Sequence, residues 1–192
     1  MNILTDVLPE IIDISGKTYK INTDFRTCLK TIMAFEDNTL TSQEKQSILL
    51  SNLYPTIPPN PLEAITRAQW FLNGGLENDN EAVGSRVYSF SNDANFIFAA
   101  FRQTHSIDLQ KENLHWWTFL ALFMDLGQDT TFCQLVSLRK RLKSGKATKE
   151  EKAAAAEMGS LIDLPNVDDR TLDEKEAEAA FMAALKKQKA KQ

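Results

Sequence analysis

Cysteine, histidine and glycine are scarce in this 192-residue chain, with two, two and seven copies respectively. Two cysteines in so long a chain do not make a disulfide framework, and Cys28 and Cys133 suit a protein of the reducing cytosol. His105 and His115 stand ten residues apart with no Cys-x-x-Cys partner, so a metal site would need carboxylates from elsewhere. Capped or core histidines are the simpler reading, with a metal or catalytic pair as the alternative. Gly74, Gly75 and Gly84 have neither the spacing nor the strand-to-helix setting of a phosphate cradle, and no P-loop, dinucleotide fingerprint, nucleophile elbow or zinc spacing occurs. Long apolar runs are missing too. The most apolar stretch, Trp116 to Met124, has nine residues where a spanning helix needs about 20. The N-terminus lacks the basic and then apolar order of a secretory signal. Positive charge is also short, with a net charge of −4 and a pI near 5.3, which argues against affinity built on phosphate neutralisation. The expectation is a chain neither exported nor membrane-embedded, with no cofactor, no metal and no nucleic-acid partner; it is read as non-enzymatic, an enzyme of unknown chemistry being an alternative that no residue pattern supports.

What is present is bulk for a core. Hydrophobic residues make up 43% of the chain, including eleven Phe and three Trp. Glu10 to Ile21 reads as a hairpin turning at Ser15-Gly16. Two strands alone are marginal in water, so it must lie on helices or pair with another chain. Thr23 is read as the cap of a first helix whose Phe25, Cys28, Leu29, Ile32 and Met33 share one face. A second helix starts at Thr41 or Ser42 and stops by Tyr54, because Pro55 follows. Four prolines between 55 and 61 form a stiff connector, and Asn60-Pro61 opens a third helix that ends at Gly74-Gly75. Residues 76 to 86 read as a loop. Ser91 or Asn92 opens a fourth helix through Phe98 and Phe101, and Asn113 a fifth carrying Trp116 and Trp117. The first half of the fourth and the whole of the fifth are apolar on all sides, the mark of buried elements. Thr130 or Thr131 caps a sixth helix that ends at Ser144-Gly145.

Composition shifts there. From Lys146 onward the chain holds one Phe, no Trp or Tyr, and many Ala, Lys and Glu. Thr148 with Glu151, and Thr171 with Glu174, form capping boxes before two further helices. The second carries Ala177, Ala180, Phe181, Ala184 and Leu185 on one narrow stripe. The expected fold is mainly α: a bundle of about six helices over residues 1–144 with a short N-terminal β-hairpin, and an Ala/Lys/Glu-rich helical extension over 145–192. Residues 146–192 are expected to be mobile, or displaced from the core, in the free monomer and to order against a neighbouring copy or a client.

Reactive candidates are few. Cys133 lies near a helix N-terminus, where a thiol pKa can fall, but also among apolar residues; Cys28 lies on an apolar face. Arg139, Lys140, Arg141 and Lys143 form a basic cluster that either complements the helix C-terminus or meets an acidic patch on a partner. The candidate partner-binding set is Phe181, Leu185, Ala177, Ala184, Arg139 and Arg141. The expected structural core includes Trp116, Trp117, Phe98, Phe101 and His115.

One stretch is specific in order: VYSFSNDANFIFAAFRQTHSIDLQKENLHWWTFLALFMDL, residues 87–126. Tyr88-Ser89-Phe90, Asp93, the run Phe96 to Phe101, Ile107-Asp108-Leu109 and above all Leu114-His115-Trp116-Trp117 resemble the phage gene-product-fifteen family of long-tailed phage tail modules. The likeness extends more loosely to the hairpin, to Asp24-Phe25-Arg26 and to the helix around Arg139. His105-Ser106 stand where the family commonly has Tyr-Gly. Genes of that family typically lie between those of the major tail protein and the tape measure protein. The resemblance therefore implies a tail assembly chaperone in the host cytoplasm, self-associating and binding the tape measure protein, with the major tail protein as a further partner. The alternative is a structural component of the virion tail. No catalytic residue is carried over. Of the two tryptophans, one is expected to be almost wholly buried between the fourth and sixth helices. His115 is expected to cap its helix, with Asp108 as partner.

Overall fold

A computed structural model describes residues 2–76 and 86–164. Among these the chain runs β1 (Ile11–Ile14), β2 (Lys17–Lys20), α1 (Phe25–Glu36), α2 (Ser42–Leu53), α3 (Pro61–Leu72), α4 (Ala94–His105), α5 (Trp116–Met124), α6 (Thr131–Lys143) and α7 (Lys149–Met158), closing on a 3-10 turn at Gly159–Leu161. The mainly helical architecture with an N-terminal hairpin is the one expected.

The local signals act as their chemistry dictates. Ser15 and Gly16 both adopt positive φ (51° and 75°), the two-residue turn that matches strand twist. The antiparallel ladder pairs Ile12 with Tyr19 and Ile14 with Lys17, and buries Ile12 and Ile14. The turn is tied to the start of α3: Ser15 N–H and Oγ donate to the two carboxylate oxygens of Glu63 at 3.0 and 2.5 Å. The hairpin thus lies on helices. Thr41 with Glu44, and Thr148 with Glu151, close reciprocal capping boxes. Asn60 and Thr130 cap α3 and α6.

Three helix starts differ from the sequence reading. Asp24, not Thr23, caps α1, accepting from the Arg26 and Thr27 N–H groups. The Thr23 carbonyl instead accepts from Trp116 N–H at 2.7 Å, while Phe25 N–H donates to the Leu114 carbonyl. The two helix starts are thereby laced together. The fourth helix begins at Ala94 because Asp93 is drawn to a partner on α6, and the fifth begins at Trp116, capped by His115.

The core centres on Phe119. Phe25, Phe101 and Trp116 lie nearly parallel to its ring at 5.0–5.5 Å. Phe101, Trp116 and Trp117 are buried in the core. Phe98 is only half-buried; Ile97, Ala100 and Phe101 form the inward face of α4. Both tryptophans pack against the end of α3, not between α4 and α6. The segment 146–164 is not displaced: α7 buries Ala155, and Glu151 pairs with Arg141 at 2.8 Å. Residues 165–192, including Phe181, Leu185, Ala177 and Ala184, lie outside the described residues.

Candidate functional site

Nine residues, WWTFLALFM, make α5, and no side chain among them is charged. A helix of that composition is buried on every side. Here only one side is closed. Trp116, Trp117, Phe119 and Phe123 are buried, whereas Ala121 and Met124 face solvent and Leu120 is half-buried.

The open side forms one wall of a groove of about 900 Å³. Ile32 and Phe35 of α1, Leu49 of α2, Tyr88, Phe90 and the tryptophans line it with Leu120, Ala121 and Met124. The rim carries large apolar side chains held in water: Ile3, Leu76 and Met124 are 48, 72 and 82% exposed. Gln69 and Asn73 supply the polar edge, and no charged side chain lines the groove among the described residues. Burial raises the Tyr88 phenol above its ordinary pKa, with neighbouring Arg86 opposing. Such a surface suits apolar side chains brought by another element.

Its back wall is fixed. The indole N–H groups of Trp116 and Trp117 donate to the Leu72 and Phe71 carbonyls at 2.9 and 2.8 Å, tying α5 to the C-terminal end of α3. Gly75 (φ 81°) lets the Trp117 ring lie flush: a Cβ there would stand 2.5 Å from the indole. His115 caps α5, its Nδ1 accepting from Trp117 N–H at 3.1 Å, and its Nε2 lies 3.1 Å from the Pro9 carbonyl. That geometry requires the Nε2–H tautomer. Asp108 is not its partner; it faces Arg102 and Lys111.

Arg139 is not a surface residue. It and Asp93 form a bidentate pair at 2.7 and 3.0 Å, with side chains 3 and 2% exposed. The remaining guanidinium donors go to the carbonyls of Val87, Leu161 and Ile162, so all five N–H groups are used. A partner role for Arg139 is thereby overturned, because its donors and its charge are already matched inside the chain. Arg141 is part-exposed and bonded to Glu151 and Ser137. Beside the clasp, Glu36 receives Ser89 Oγ and Ser91 Oγ and pairs with Arg86.

The other candidates are absorbed locally. His105 Nε2 lies 2.9 Å from the Leu122 carbonyl. Cys133 is half-buried with its thiol toward the Leu126 carbonyl, and Cys28 is fully buried, which pushes its thiol up to about 12. Among the described residues no cluster of three or more His, Cys, Asp or Glu side chains could hold a metal, and no helix is long and apolar enough to cross a membrane.

The stretches singled out in the sequence meet in space. Arg26 donates to the Leu109 and Glu112 carbonyls at 2.7 and 2.8 Å, and Asp24 bridges to His115. They are brackets of the fold, and two of them, Tyr88-Ser89-Phe90 and the paired tryptophans, frame the groove. Sequence reasoning missed the groove's rim. Its one visible signal was the uniform apolarity of α5.

The sequence matches the family described as Bacteriophage Gp15 protein over residues 4–164. No curated protein and no solved structure matches it. With most of its length covered by that match, including every bracket described above, the chain belongs to the Bacteriophage Gp15 protein family.

Proposed function

We propose that this chain is a phage tail assembly chaperone, which holds apolar helical stretches of the tape measure protein in the host cytoplasm before the tail tube polymerises. It works by binding, with no catalysis, and several copies line one long client. The observation that carries this reading is the uncharged groove with Ile3, Leu76 and Met124 standing in water at its rim. An amphipathic helix laid in such a groove buries its anchors while its polar face stays wet. Each large side chain so buried contributes about 1.5–3 kcal/mol, so a few anchors per copy suffice for reversible holding. Membership in a phage family supplies the biological setting.

The test is co-expression with the tape measure protein of the same phage. Wild-type chain should co-purify with it and keep it soluble, and a Leu76→Asp/Met124→Asp variant should not. Purified virions should lack the chain by mass spectrometry. Its presence in fixed stoichiometry would instead make it a tail component and overturn the chaperone reading.

A further inference from the structure

The groove lies beside the point where the described chain stops. Arg139 binds the Leu161 and Ile162 carbonyls with the same guanidinium that binds the Val87 carbonyl. The next residue after Val87, Tyr88, lines the groove. Ile162 is thereby held close to the residue before Tyr88, and 28 residues follow Leu164. Residues 165–170 can span roughly 20 Å when extended. After them comes a capping-box sequence at Thr171 and Glu174, and then Ala177, Ala180, Phe181, Ala184 and Leu185 at helical spacing.

We propose that in the free protein the segment 171–188 of the same chain occupies the groove, as an internal placeholder that a client helix displaces. This rests on the reading of the groove as a helix-binding site. Three features favour this occupant. The stripe bears no charge, and neither does the groove lining among the described residues. Its alanines permit close approach of a helix to the walls, and Phe181 and Leu185 give two anchors for an apolar cavity. Tethering a few residues from the mouth makes the contact intramolecular, so even a weak stripe competes for the site. Two anchors leave it weak enough to yield to a client offering more.

Two tryptophans report on this site: Trp117 lines the groove, and the half-buried Trp70 meets it edge-on at 5.5 Å, while Trp116 is fully buried behind them. The experiment compares the full-length chain with its Phe181→Asp/Leu185→Asp variant, using tryptophan emission and the affinity of anilinonaphthalene sulfonate, after thermal unfolding shows both are folded. If the segment fills the groove nine-tenths of the time, the variant binds the dye about ten-fold more tightly. Its emission shifts to the red, and an added peptide of residues 171–188 reverses both changes. The effect is independent of protein concentration, and Phe181→Ala gives a smaller change of the same sign. Equal dye affinity and emission in the two chains would overturn the proposal, as would a difference that grows with concentration, which would put the segment on a second copy. Loss of tape measure binding with the dye effect intact would remove the client reading and leave this one standing.

Discussion

The two sides of α5 are made of the same kind of residue and end in opposite circumstances. On one side Trp116, Trp117, Phe119 and Phe123 are packed, with every indole N–H satisfied by the end of α3. On the other, Ala121 and Met124 stand in solvent over an apolar floor. Composition cannot account for the difference. The closed side is closed by long-range partners from α1, α3 and α4, and the open side is where those partners run out. The first side holds the molecule together; the second is available to something else. Substitutions should separate the two, costing stability on one and binding on the other.

The largest stability loss is expected at the polar clasp behind the groove. Arg139→Met leaves the Asp93 carboxylate buried without its partner and strips donors from three carbonyls. Breaking such a buried pair costs about 3–5 kcal/mol, and urea unfolding should show it. A double Asp93→Asn/Arg139→Met variant should recover part of the loss, since no bare charge is left. On the closed side of α5, Trp116→Ala should cost about 3–5 kcal/mol through cavity formation, and it also removes the donor to Leu72. Gly75→Ala comes next. Its Cβ would press on the Trp117 ring in a positive-φ conformation, which should cost about 1–3 kcal/mol in the same unfolding measurement.

Protons probe the closed interior more gently. Burial, aided by Asp24, raises the Cys28 thiol to about 12, and burial, opposed by Arg67, raises the Tyr54 phenol to about 12. Both pKa values are higher in the folded chain than in the unfolded one, so the unfolded state sheds these protons first. Their favourable contribution is present below about pH 9 and is lost as pH rises toward about 12. Denaturation midpoints should therefore fall across that alkaline window. Iodoacetamide at pH 8 should modify Cys28 only after unfolding; rapid native labelling at that residue would show that the interior of α1 is open.

The sequence made the near-range part of this structure readable. Capping pairs at Thr41, Asn60, Thr130 and Thr148 act over three residues, and Ser15-Gly16 sets its turn alone. The pairing of Asp93 with Arg139 spans 46 positions, and nothing in the basic run 139–143 marks the one side chain that turns inward. For the same reason the cap of α1 fell on Asp24: Thr23 is held by Trp116, more than ninety residues away. The groove was the least readable feature. Its lining runs from Ile3 to Met124, and the uniform apolarity of α5 could say that the helix needs cover on every side but not which side stays uncovered.

The central claim is that the open side of α5 is the working surface and that its exposure is not a structural need. Leu76→Asp with Met124→Asp tests it most directly, because both side chains are largely exposed and change stability by no more than about 0.5 kcal/mol each at an ordinary surface position. Recovery of the tape measure protein with this variant should fall to background while its thermal unfolding stays within a few degrees of wild type. Undiminished recovery by a normally folded variant would contradict the account and place client binding elsewhere on the chain.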